Sequence, residues 1–276
     1  MSDEAVDPAA ATPGRASRDG TGGNGAGNTP RVAHDVPLGG RGREGEAQAP
    51  LQTRYERVAL LEQVRGNERA LAFLDAADAF MDAQGFTEHG RRHANLVGSI
   101  AYNVLSYLGH EERVCEVAAV AGFLHDIGNV VSRADHGQTG ALIAYDLLKD
   151  ADITYADLAL VLSAVGNHEE QYGQSVSPVS AAVILADKSD VHRSRVRKNA
   201  SIAFDIHDRV NYAVEASFLR VDAEAHTLTL ELTIDTEISQ VLEYFEIFLD
   251  RMIMCRRAAE TLGCSFRITV NDVPVL

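Results

Sequence analysis

Basic residues are in short supply in this chain: 25 Lys and Arg stand against 40 Asp and Glu, a formal net charge of −15. A general nucleic-acid surface needs cations in excess to draw in phosphates, so no nucleic-acid polymer is expected as a partner, although a local basic cluster can still hold one small phosphate compound. Cysteine is scarce too. Cys115, Cys255 and Cys264 are the three present, with neither knuckle spacing nor an even count, and apolar neighbours beside each point to buried reduced thiols. No apolar run reaches the span of a bilayer, which excludes a membrane partner of the spanning kind. The N-terminal stretch lacks the uninterrupted apolar segment of a signal peptide, and its acidic residues argue against a transit peptide, so a cytoplasmic protein is expected.

Apolar periodicity is also missing from residues 1–50, which run through DPAAATPGRASRDGTGGNGAGNTPRV and GGRGREGEAQAP. Burial there cannot offset the entropy of ordering, and a disordered low-complexity tail is expected. From Tyr55 the pattern turns amphipathic. Val58, Leu61 and Val64 lead to Leu71, Leu74, Ala77, Phe80 and Met81 at helical spacing, with Gly85 as a stop. HANLVGSIAYNVLSYLG predicts a second helix and EERVCEVAAVAGFLHDIG a third, apolar nearly all round and therefore central. GQTGALIAYDLLK begins beside His136, and YADLALVLSAVGNH delivers His168 near its end. Pro178 then opens VSAAVILADKSDVHRSRVRK, a further helix whose first turn tolerates proline.

After about Phe204 the period changes to two. NYAVEASFLRVD and HTLTLELTID predict a half-buried hairpin around an Ala-Glu-Ala turn, followed by a long helix with an apolar stripe from Ile238 to Met252 and a strand in CSFRITVNDVPV. The expected fold is mainly α: a helical domain over 51–205 and a small α+β module over 206–276. The stripe either packs on its own three-stranded sheet, covers a site mouth or, like the sheet edges, pairs two copies into a homodimer.

Six residues of metal-ligand type stand out in the helical part: His93, the adjacent pair His125-Asp126, His136, His168 and Asp187. An imidazole and a carboxylate inside an apolar helix cost several kcal/mol to bury without partners, so something must compensate them. Taken singly, the His125-Asp126 pair reads equally well as a satisfied helix-end pair, and a lone histidine in such a place is more often a core or capping residue than a ligand. Together they offer four imidazoles and two carboxylates, enough donors for two divalent ions with positions left for water.

The order His, His-Asp, Asp with the motif FLHDIGN resembles the HD-domain metal-dependent phosphohydrolases over about residues 70–200. HANLV, GFLHDIGN and VILADKSD match that family's motifs, so the resemblance implies a helical bundle in which His93, His125, Asp126 and Asp187 bind a first metal and Asp126 bridges to a second. DHGQTGA and VGNHEE are similar to the motifs of the dinuclear subset and imply His136 and His168 as the second metal's ligands. The chain departs from the HD-GYP branch: Asn129 replaces the lysine of HDIGK, Asn167-His168 replaces paired histidines, and no GYP tripeptide follows, which argues against cyclic-di-GMP as substrate.

The implied activity is cleavage of a phosphoester or phosphoanhydride bond of a small phosphorylated compound, a nucleotide above all, by a metal-activated water with His125 and Asp126 at the reacting centre. One or two divalent ions per chain are implied, iron or manganese first, with zinc, cobalt, nickel or magnesium compatible with the same donors. Lys188 adjoins Asp187, and on a continuing helix Arg193 and Arg197 share a face, making these three the expected phosphate-binding residues. The alternative is a solvated basic face paired with Asp190 and Asp205. Glu169 and Glu170 are expected to orient His168 or to be exposed loop carboxylates, and His89 is expected in a loop without a ligand role. Loss of the HDIGK lysine keeps a second function open: a non-catalytic nucleotide-sensing or regulatory protein acting through its C-terminal module.

Overall fold

The computed structural model describes residues 58–197 and 206–275. The expected tail, the helix start at Tyr55 and the junction near Phe204 lie outside these residues. The described residues form nine α-helices and four strands, mainly α with a small sheet toward the C-terminus.

The first amphipathic run is two helices, α1 (Ala59–Arg65) and α2 (Glu68–Ala83), rather than one. Asn67 accounts for the break: its side chain accepts from the N–H groups of Arg69 and Ala70, satisfying donors that an uninterrupted helix would spend on its own carbonyls. Leu61, Val64, Leu74, Ala77 and Met81 are buried as the pattern requires, but Phe80 lies off the buried face at 49% exposure.

α3 (Arg91–Tyr107) packs against α4 (Glu112–Leu124), which is buried without interruption from Val117 to Leu124. The two backbones meet at glycines: a Cβ on Gly122 would stand 2.9 Å from Gly98 Cα. α5 (His136–Leu148) and α6 (Tyr155–Gly166) pack on each other, and α6 also lies on α4. α7 (Pro178–Ser189) starts at a capping box between Ser177 and Ser180 with proline in its first turn. Every residue from Val179 to Ser189 is buried, so α7 is a second central helix, touching α3, α4 and α6.

α7 ends at Ser189, where the expected helix was to continue through Arg197. Asp190 leaves the helical conformation at φ −82° and ψ 72°, and only a short 3-10 turn, Arg193–Arg195, follows. Tertiary partners bring this about. The Asp190 carboxylate turns inward to His93 and Arg92, and Arg195 donates to the Asp190 carbonyl, contacts that outweigh one more turn of helix. Arg193 and Arg197 therefore share no helix face.

Beyond the undescribed junction, α8 (Ile206–Ala213) runs into β1 (Val214–Asp222), so the strand begins three residues after Asn211, where the alternation had placed it. β1 pairs antiparallel with β2 (Thr227–Ile234), whose Leu228, Leu230, Leu232 and Ile234 are buried in strict alternation. α9 (Val241–Thr261) then crosses over so that β3 (Ser265–Val270) lies parallel to β2. A short β4 (Val273–Pro274) adds a fourth strand to the expected three, after a turn in which Asn271 and Asp272 take positive φ. α9 buries Tyr244, Phe248, Met252 and Cys255 against α7 as well as against β2 and β3, while Leu242 and Leu249 of its stripe face outward. No described helix is long and apolar enough to cross a membrane.

Candidate metal centre

Five helices, or the turns just after them, carry the six ligand-type residues to one point. His93 sits in the first turn of α3, on the face that packs against α4 and α7. α4 ends at Leu124, and the chain turns at His125-Asp126 into a 3-10 segment, Ile127–Val130. Gly128 in that segment lies directly on α5: a Cβ there would fall 1.9 Å from the His136 carbonyl oxygen. Only glycine fits, and the close approach sets Asp126 beside His136, the first residue of α5. His168 follows the end of α6 by two residues, and Asp187 occupies the last turn of α7.

All four rings have their Nδ1 engaged. His93 Nδ1 donates to Asp190 Oδ2 at 2.7 Å, His125 Nδ1 to the Gly122 carbonyl at 2.7 Å, and His168 Nδ1 to the Val165 carbonyl at 2.7 Å. His136 Nδ1 lies 3.0 Å from the Arg133 carbonyl and 3.2 Å from Glu169 Oε1. Carbonyls and carboxylates only accept, so Nδ1 carries a proton in each ring, and a ring in its neutral form turns a bare Nε2 inward.

Those bare nitrogens meet in pairs. His93 Nε2 and His125 Nε2 are 3.2 Å apart, His136 Nε2 and His168 Nε2 3.0 Å apart. The Asp126 carboxylate stands between the pairs: Oδ2 is 3.5 Å from His93 Nε2 and 3.2 Å from His125 Nε2, whereas Oδ1 is 3.2 Å from His136 Nε2 and 3.7 Å from His168 Nε2. Asp187 Oδ1 completes the first group at 3.3 Å from His93 Nε2 and 3.6 Å from His125 Nε2. Asp126 Oδ2 is buried and has no hydrogen-bond partner among the described residues.

Opposed lone pairs and an unsatisfied carboxylate oxygen in a buried cluster need positive charge between them. A divalent cation with His and carboxylate ligands fits that need. Three overlapping groups could hold one: His93, His125 and Asp126; His125, His168 and Asp187; Asp126, His136 and His168.

The electrostatics agree. Burial opposes ionisation of Asp126 and Asp187, but His125 beside the first and Lys188 beside the second keep both carboxyls well below the ordinary range. Burial disfavours charge on His125 too, yet Asp126 and Asp187 outweigh it and push its pKa up to about 10, so without a cation this ring takes up a proton that a bound metal would displace. Burial holds His168 down to about 4, so its ring stays neutral and free to ligate.

The cluster opens into a pocket enclosing about 280 Å³, part of it open to solvent. Lys188 lines it, almost fully buried, with Nζ 2.6 Å from Asp187 Oδ2 and 3.1 Å from Glu170 Oε1. Arg193 and Arg197 do not line it. Arg193 pairs with Glu215 at 3.0 Å and lies over Tyr212, and Arg197 pairs with Asp78 at 2.7 Å and Asp82 at 3.1 Å. His192 contacts Ser194 and the Glu215 carbonyl.

Four pocket residues had no site role in the sequence: His89, Arg133, Arg195 and Arg251. His89 stacks edge-on against His93 with ring centres 5.6 Å apart, and its place four residues before His93 was the available signal. Arg133 Nη1 donates to His136 Nε2 at 3.2 Å, and Arg195 is spent on the backbone carbonyls of Glu88 and Asp190. Glu169 does contact a candidate ligand, but His136 rather than its neighbour His168, and it also accepts from the Gly137 N–H at 2.5 Å. Asp190, read from the sequence only as a counter-charge for the basic run, orients His93.

Comparison with known proteins agrees with this geometry. The chain is 25% identical over 176 residues to an uncharacterized protein of Methanocaldococcus jannaschii, an alignment covering 55% of this chain and 67% of that protein. Residues 88–193 match the HD domain, and all six clustered residues, with Lys188 and Asp190, fall within the match. Over residues 88–193 this chain is therefore similar to the HD domain, a family generally made up of metal-dependent hydrolases.

Proposed function

We propose that this protein is a metal-dependent phosphohydrolase that cleaves a phosphoester or phosphoanhydride bond of a small phosphorylated compound of the nucleotide class, using two divalent ions per chain, iron or manganese. One observation carries the reading: the Asp126 carboxylate lies between two pairs of inward-facing imidazole nitrogens, one oxygen toward each pair. On this reading His93, His125 and Asp187 would hold one ion together with Asp126, and His136 and His168 would hold the other.

Bound there, such ions supply Lewis acidity toward a water and toward phosphoryl oxygens. The chain's own residues do the remaining work. Asp126 and Asp187, ionised at neutral pH, serve as ligands, and Asp190 and Glu169 hold the rings of His93 and His136 in ligating orientation. Lys188 and Arg133 place positive charge on the pocket wall where phosphoryl oxygens carry negative charge.

The sensor alternative drew on the absence of lysine at position 129. Asn129 donates to Asp126 Oδ1 at 3.0 Å, and the charge a lysine would bring is supplied by Lys188 and Arg133, which favours turnover over binding alone. The three free, buried cysteines support a reducing compartment such as the cytoplasm.

Incubation of the Mn²⁺-loaded protein with a panel of nucleotides and generic phosphoesters, followed by phosphate and pyrophosphate release, tests the reading. Asp126→Ala is expected to lose both metal and hydrolysis. Normal turnover by that variant would sink the proposal.

A further inference from the structure

One cation in the pocket comes from outside the HD domain. Arg251 lies on α9, beyond the matched residues 88–193, yet it lines the same pocket as Asp126, His168, Asp187 and Lys188. Its position is built. The guanidinium stacks on the ring of Phe248, 4.6 Å from the ring centre, and Phe248 is fully buried one turn earlier on the same helix. Arg251 Nε then lies 2.9 Å from Glu170 Oε1.

Glu170 belongs to the segment after His168, and that segment is held on α9 at a second point: a Cβ on Gly173 would meet Met254 Cε at 2.6 Å. The same Glu170 oxygen is 3.1 Å from Lys188 Nζ. Two cations from separate helices, α7 and α9, thus share one carboxylate at the pocket wall. Glu170 Oε1 is buried in ion-pair contact with both but has no aligned hydrogen bond. The Nη groups of Arg251 make no hydrogen bond with a described residue, so the planar fork is still available to a ligand.

We propose that Arg251 is a substrate-binding residue, its Nη fork and Lys188 Nζ together clamping the oxygens of a terminal phosphoryl group. The C-terminal helix then completes a pocket that the HD domain alone leaves one cation short. Arg matches paired phosphoryl oxygens in a way a point charge cannot, and Glu170 holds Arg251 and Lys188 together in the interval between ligands. This assignment rests on the phosphohydrolase reading, because it takes the anion in the pocket to be a phosphoryl group.

The test is calorimetric titration of inorganic phosphate into the full-length, Mn²⁺-loaded protein and three variants, with metal content and melting temperature measured on each. Arg251→Gln is expected to weaken phosphate binding by about tenfold or more at unchanged metal content, the loss typical of a charge-assisted contact. Arg251→Lys, which keeps the charge and the pairing to Glu170, is expected to recover part of it. Glu170→Gln removes a competing anion and is expected to bind phosphate as tightly as the unaltered protein or more tightly.

If the Arg251–Glu170 pair only braces α9, Arg251→Gln and Glu170→Gln weaken binding alike, and the assignment fails. Phosphate affinity within twofold in Arg251→Gln also overturns it while leaving the phosphohydrolase reading intact. Should Arg251→Gln not fold, Arg251→Lys decides by the same criterion. A metal-loaded unaltered protein that binds no phosphate overturns both.

Discussion

His93 Nδ1 donates to Asp190 Oδ2 at 2.7 Å, so a carboxylate three residues past the candidate ligand Asp187 fixes the ring that enters the cluster from the opposite helix. Asp190 is almost fully buried and is also within 3.0 Å of Arg92. Replacing it with Asn keeps the shape but gives up the charge. Asp190→Asn is expected to weaken metal binding by about 10- to 100-fold, the range for partners that orient a ligating histidine. Metal retained after dialysis against graded chelator checks this.

The same carboxylate makes stability depend on pH. Burial opposes its ionisation, but Arg195, His93 and Arg92 outweigh burial and hold its pKa well below the ordinary range. A depressed folded-state pKa contributes stability that is complete above the unfolded value, about 4, and is lost as pH falls below it. Melting temperature is expected to drop between about pH 4 and pH 3 more steeply in the unaltered protein than in Asp190→Asn, whose amide has no such proton to take up. Equal slopes would remove Asp190 from the account.

His136 and His168 differ from His93 and His125 in the oxygen of Asp126 they face. His168→Ala is therefore expected to lower metal content from two ions per chain to one, and His93→Ala to disrupt the other group. Elemental analysis of protein purified without chelators reads the stoichiometry directly.

Gly122 is where α3 and α4 touch, with room for no Cβ against Gly98. Gly122→Ala is expected to cost about 1–3 kcal/mol through forced separation of the two helices. Urea denaturation with an unchanged slope and a lower midpoint would show it. An unchanged midpoint would mean that the helices part without cost.

Burial pushes the Cys115 and Cys255 thiols up to about 12 and raises that of Cys264 as well. Thiolate is the reactive form, so the folded protein is expected to give almost no reaction with a thiol reagent at pH 8, and three equivalents in denaturant.

The sequence by itself marked out the candidate metal-ligating residues and most of the helical segments. An adjacent His-Asp in an apolar run must be compensated, and a stripe at 3.6-residue period must face a core. Such patterns report that a face is buried but not what buries it. The first helix broke because Asn67 caps a new one, a local signal that was present but outweighed by the continuing apolar period. The end of α7 had no local signal at all. Ser189 to Arg197 is compatible with helix, and the chain turns at Asp190 because His93 and Arg92, almost a hundred residues earlier, take its carboxylate. That turn draws Arg193 and Arg197 away from the pocket to Glu215 and Asp78, leaves Lys188 inside, and makes room for Arg251 from α9. The candidate ligands were legible because their chemistry is intrinsic to the side chains. The cations that face them were decided by tertiary structure, because an exposed arginine and a pocket arginine have the same sequence and differ only in what packs beside them.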